Sequence, residues 1–166
     1  MIIVADTSPL NYLVLIREIE LLPSLFGQVI IPQAVWAELH APGTPDVVRE
    51  WADSAPSWLE VRTPSFIDSG IKLGVGEVEA ICLASELQAD QLLVDDRKAR
   101  KIALARGLMV AGTLNILEAA ALRGMVDLPN AIRELRQTNF RAPDDLVKLL
   151  LDRDAERNKP ASRRST

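Results

Sequence analysis

Residues 2–9 read Ile2-Ile3-Val4-Ala5-Asp6-Thr7-Ser8-Pro9, and this stretch decides the fold. Its first four residues are wholly apolar and largely β-branched, a run too short for a helix, which predicts a strand buried on both faces. The chain then turns polar at once. Ser8 is placed to cap a helix, Pro9 suits a first helical position, and Leu10, Leu13 and Val14 form a helical stripe. The unit is a buried strand, an acid at its end, and a helix.

The unit recurs. Val29-Ile30-Ile31 is closed by Pro32 and leads to a helix with Val35, Trp36 and Leu39 on one face. Gln91-Leu92-Leu93-Val94 ends at Asp95-Asp96 and leads to a helix from Arg97 to Arg106, stopped by Gly107. Leu108 to Ala111 predicts a further strand, and Thr113 caps a helix running to Gly124. Between these lie predicted helices over 18–26, 46–52 and 77–87, with an edge strand at Leu59-Glu60-Val61. Two more helices are expected around 129–137 and 143–156, and 157–166 reads as a polar, frayed tail. Strands alternating with helices predict an α/β fold: a central parallel sheet of four to five strands between two helical layers. The chain has 166 residues, no repeat and no linker, so 1–156 is expected to be one domain.

Composition excludes several functions. Hydrophobic residues make up 48% of the chain, enough for a full core, so a disordered chain is excluded. Charges or prolines interrupt every apolar run short of a membrane span, and no secretory signal is expected after Met1. Cys82, the single cysteine, rules out an intrachain disulfide and reads as a small core residue, in keeping with a reducing cytoplasm. Net charge is −4, not the basic footprint of a protein that grips nucleic acid by phosphate neutralisation alone. Aromatics at 4% also exclude a base-stacking platform. A nucleic-acid enzyme built on this chain needs metal ions for much of its positive charge.

In open α/β sheets ligands bind beyond the carboxyl ends of the strands. Asp6 stands there after the first strand, and Asp95 and Asp96 after the Leu92–Val94 strand. Glu38, Glu77 and Glu79 join from helices. Acids gathered together repel one another unless protonated or bound to cations, and hard Mg²⁺ or Mn²⁺ suits carboxylate oxygens. His40 and Cys82 are too few for a structural zinc. Residues two apart on a helix point about 200° from one another, so Glu77 and Glu79 converge only if Glu77 sits at or before the cap. That makes Glu79 the firmer ligand candidate.

The strings Asp6-Thr7-Ser8, Ile30-Ile31-Pro32 with Val35-Trp36-Ala37-Glu38, Gly76-Glu77-Val78-Glu79-Ala80 and Leu93-Val94-Asp95-Asp96 resemble, in order and spacing over roughly 1–125, the acidic motifs of PIN-domain proteins. The glycine-led pair of glutamates also resembles that of flap endonucleases. The likeness extends to a prokaryotic PIN-like group akin to VapC-type toxins. It implies a PIN-like α/β/α sandwich and a Mg²⁺- or Mn²⁺-dependent endoribonuclease. Asp6, Glu38, Glu79 and Asp96 are the implied catalytic acids, with Glu77 and Asp95 as further metal ligands and Ser8 as a supporting hydrogen-bonder. The family's usual third acid is Asp where Glu79 stands here, and its fourth motif is replaced by Asp95-Asp96, which leaves the fourth ligand open by one residue. RNA as substrate, a cognate antitoxin protein and a homodimer are further expectations from the resemblance, with no membrane partner.

The mechanism so implied is metal-assisted hydrolysis of a phosphodiester, with Arg97, Lys98, Arg100 and Lys101 holding flanking phosphates. Each residue also has a plainer role open to it: Asp6 or Ser8 as a helix cap, Glu77 as a complement to a helix N-terminus, the basic run as a solvated face. His40 and the three tryptophans read as structural. A PIN-like module that binds RNA or protein without cleaving competes with the nuclease. A Mg²⁺-dependent phosphatase or receiver falls behind both. Ser8 stands where the phosphatase needs a second Asp, and a receiver needs its acid pair after the first strand.

Overall fold

Strand β1 (Ile3–Ala5) lies at the middle of a sheet because all three of its residues are fully buried, with apolar neighbours on both faces. The structure, a computed structural model, describes residues 1–160. After β1 come α1 (Thr7–Leu15), α2 (Leu21–Phe26), β2 (Val29–Pro32), α3 (Gln33–Leu39), α4 (Asp46–Asp53) and β3 (Leu59–Arg62). Then follow α5 (Val75–Glu86), β4 (Gln91–Leu93), α6 (Arg97–Ala105), β5 (Val110–Ala111), α7 (Thr113–Leu122), α8 (Leu128–Arg136) and α9 (Asp144–Arg157). The chain divides into two compact units, one ending at Thr113 and one beginning at Leu114.

The first unit holds a parallel sheet ordered β3-β2-β1-β4-β5. Side chains alternate between its faces. Val4, Ile30 and Leu92 pack into one core with Ile81, Leu83 and Ala84 of α5, while Ile3, Ile31 and Leu93 are fully buried on the other face. Burial on both sides is the α/β sandwich predicted from the short apolar runs. Strand order reverses at β1 and β4, whose register pairs Ala5 with Leu93. The Asp6 N–H continues that pairing onto the Leu93 carbonyl at 2.9 Å, so the ends of these two strands flank the crevice where such sheets bind ligands. In the second unit, α8 buries Leu128, Ala131, Ile132 and Leu135, and α9 buries Val147, Leu150 and Asp154.

Several boundaries differ from the sequence expectation, and four of them change how a residue is read. Helix α1 starts at Thr7, so Asp6 and not Ser8 is at its N-cap and Ser8 lies inside it. Helix α2 starts at Leu21 and not Glu18 because Arg17, at φ 63°, ends α1 in a left-handed turn and sends the Glu18 N–H back to the Leu13 carbonyl at 2.8 Å. Helix α5 starts at Val75, two residues early. Arg157, assigned to the tail, is the last residue of α9 and pairs with Asp154 at 3.2 Å; the tail from 161 lies outside the described residues.

Candidate active site

Asp6 takes its place from β1. The strand delivers it into the reversal point of the sheet, where it is 4% exposed. It occupies the N-cap of α1 in extended geometry, yet its side chain makes no capping bond to that helix, and Oδ1 is buried without a hydrogen-bond partner among the described residues. Burial pushes its pKa up to about 7, aided by the charges of Glu77, Glu38 and Asp95 and opposed by the Thr7 backbone N–H. A buried carboxylate with one oxygen unpartnered, among other carboxylates, is held at a cost that a cation relieves.

Glu38 comes from α3. Its Oε2 accepts from the Thr7 hydroxyl, which ties the first turn of α1 to α3. The same carboxylate lies against Gly76 of α5. A Cβ at position 76 would sit 2.5 Å from Glu38 Oε1, so only glycine admits this approach.

The early start of α5 reassigns the glutamate pair. Gly74 is the N-cap and Glu77 is the third helical residue, with Oε1 accepting from the Gly74 N–H at 3.3 Å. Both glutamates are therefore inside the helix and diverge. Glu77 is the one turned to the acids: its charge acts on Asp6, and its Oε2 is buried with no partner among the described residues. Burial raises its pKa, followed by the Asp96 charge and, more weakly, that of Glu38. Glu79 instead reaches the N-terminus of α3, where Oε1 accepts from the Ala34 N–H at 3.4 Å. The charge of Glu77, and not that of Glu79, acts on Asp6.

Asp95 and Asp96 follow β4. Asp95 accepts from both the N–H and the hydroxyl of Thr113, each at 2.7 Å. Burial raises its pKa, while these two bonds and the Arg100 charge oppose the rise. Asp96 is exposed and caps α6, with Oδ1 accepting from the Ala99 N–H at 2.8 Å. On α6, Arg97, Lys98 and Lys101 face solvent, whereas Arg100 turns inward to the Val94 carbonyl at 3.5 Å.

Ser8, expected to support the site, is half-buried within α1, and the neighbouring Thr7 makes the bond to Glu38. Thr113, read only as a helix cap, is fully buried and bonded to Asp95. Thr113 reaches Asp95 from the end of the neighbouring strand and Thr7 reaches Glu38 on α3, and nothing local marks a threonine as a donor to a distant carboxylate. His40 is engaged elsewhere, with Nδ1 at 2.8 Å from the Trp36 carbonyl and Nε2 at 3.3 Å from Asp53. Cys82 lies in the core, as read. Among the described residues no three His, Cys, Asp or Glu side chains are drawn close enough to enclose a metal ion, and no helix is long and apolar enough to cross a membrane.

The DUF3368 family model, described as a PIN domain, matches residues 2–156. Among solved structures, the chain is similar to a PilT N-terminus domain protein from the hyperthermophilic archaeon Sulfolobus solfataricus P2. The two share 21% identity over 72% of this chain and 93% of that one, with a TM-score of 0.53, a likeness of fold. No curated protein matches.

Proposed function

This chain belongs to the PIN-domain family, whose members are commonly nucleases, and we propose that it is a divalent-metal-dependent ribonuclease hydrolysing phosphodiester bonds. The observation that carries the reading is the buried, unpartnered Oδ1 of Asp6, held among Glu38, Glu77 and Asp95. A plain capping residue would accept from the N–H of the second or third residue of its helix, and Asp6 makes no such capping bond. The donor set is all oxygen, as Mg²⁺ or Mn²⁺ requires, and a hexacoordinate ion completes few protein ligands with water.

Asp6, Glu38, Glu77 and Asp96 would hold the ion, with Thr7 fixing the rotamer of Glu38. Bound there, the ion would lower the pKa of a water and offset charge on the scissile phosphate. The chain's own cations act further out: Arg97, Lys98 and Lys101 on the exposed face of α6 neutralise flanking phosphates of an RNA strand. A cognate antitoxin, a homodimer and a cytoplasmic setting extend this reading and rest on the resemblance to VapC-type toxins.

A second reading, an RNA- or protein-binding module without cleavage, is favoured by the open spacing of the acids. Calorimetric titration of Mn²⁺ into the full chain separates the two. The nuclease reading expects saturable binding that Asp6→Asn removes, followed by Mn²⁺-dependent cleavage of RNA. Absence of binding, with or without an RNA oligonucleotide present, would leave the binding module.

A further inference from the structure

Asp95 and Asp96 are neighbours in sequence, but their carboxylates are committed differently. Both oxygens of Asp95 are taken, Oδ1 by the Thr113 N–H and Oδ2 by the Thr113 hydroxyl. Arg100 comes in beside it from α6, and its charge favours the ionised Asp95. Gly112 makes this meeting possible. A Cβ there would stand 2.5 Å from Arg100 Nη1 and 2.8 Å from Asp95 Oδ1, so the missing side chain is the space the acid and the guanidinium share. A carboxylate with two donors and a neighbouring guanidinium already has partners, and turning it to another cation would strip the buried Thr113 donors of their acceptor.

Asp96 is the contrast. It is exposed, gives Oδ1 to the Ala99 N–H, and its charge falls on Glu77. Glu77 and Asp6, in turn, each carry a buried carboxylate oxygen without a hydrogen-bond partner among the described residues.

We infer that Asp95, although it follows β4, is a positioning residue that braces the end of that strand against Thr113, and that it is not itself a ligand of the site's cation. The second half rests on the metal-binding reading above, whereas the brace stands without it.

The test uses charge-only variants of the full chain with Mn²⁺ as probe. Asn caps a helix as well as Asp does, so Asp96→Asn preserves α6 while removing the charge. Its expected result is Mn²⁺ binding weakened by about tenfold or more, with the metal-free Tm within about 2 °C of wild type. Asp95→Asn keeps an oxygen for the Thr113 N–H and is expected to hold Mn²⁺ affinity within about threefold while lowering the metal-free Tm. Mn²⁺ binding weakened by about tenfold or more in Asp95→Asn overturns the inference. The brace is judged separately by metal-free melting of Asp95→Ala, Thr113→Val and the double variant, with Thr113→Ser as the rescue. Coupled single effects and rescue by serine support it, and additive effects overturn it. If the wild type binds no Mn²⁺, the metal reading and the exclusion of Asp95 from its ligands fall together, and the melting cycle still decides whether Asp95 is the brace.

Discussion

Glu77 and Glu79 stand two residues apart on α5, and their carboxylates serve different places. Glu77 Oε2 is buried among the acids around Asp6, while Glu79 Oε1 takes the Ala34 N–H at the start of α3, 3.4 Å away. The helix period of 100° per residue separates them, and the packing of α5 decides which faces the site.

Glu77→Gln is therefore expected to weaken Mn²⁺ binding by about tenfold or more, and Glu79→Gln to leave it unchanged. The glutamine oxygen at 79 still accepts from Ala34, so its stability should stay within about 0.5 kcal/mol of wild type. Calorimetry and urea unfolding of the two variants check both halves.

Asp6 sets a pH dependence. Its carboxyl rises from 3.8 to about 7 on folding, mainly through burial. Below pH 4 it is protonated in both states and costs nothing. As pH climbs from 4 to 7 the unfolded chain releases the proton first, so stability falls, levelling above 7 at a loss of about 4 kcal/mol. Asp6→Asn is expected to flatten this slope and to be the more stable protein at pH 8 in chelator. Denaturant unfolding across that range measures it, and a parallel slope in wild type and variant would refute it.

Gly76→Ala puts a methyl 2.5 Å from Glu38 Oε1. The clash is with the tip of a flexible side chain, so the fold is expected to survive, helped by the better helix propensity of alanine, about 1 kcal/mol. Glu38 must leave, and its bond from Thr7 with it. Mn²⁺ affinity should drop with Tm held or raised, a combination that calorimetry and thermal melting together would expose.

Lys98→Ala with Lys101→Ala removes two exposed charges from α6. Binding of a labelled single-stranded RNA should weaken and its dependence on salt become shallower by about 1.4 in log–log slope, with no change in Tm. Fluorescence anisotropy at several salt concentrations is the measurement. An unchanged slope would return these lysines to the role of a solvated face.

Much of the fold was legible in short stretches. Ile3-Val4-Ala5 and Leu92-Leu93-Val94 carry no polar residue that could face water between flanking helices, so buried parallel strands were readable without contacts. The α2 boundary was not readable, since a left-handed Arg17 carries no signature in its residue type. The start of α5 was obscured in the same way: Gly74 and Gly76 both suggested a loop, yet Gly76 is helical and its bareness serves the approach of Glu38.

By itself, the sequence determined the alternation of strands and helices and the acids at the strand ends. Both follow from local rules: apolar period, caps and the placing of polar residues at the ends of buried runs. Only the tertiary structure decided which acids meet. Strand order put β1 beside β4, and with them Asp6 beside the Asp95-Asp96 corner. Packing set the phase of α5, which chose Glu77 over Glu79, and a buried threonine across the sheet claimed Asp95 while Asp96 stayed exposed. The direction of a side chain depends on the rotation of its element against its neighbours, and that rotation is fixed by burial of the whole core, not by the residues adjacent in sequence.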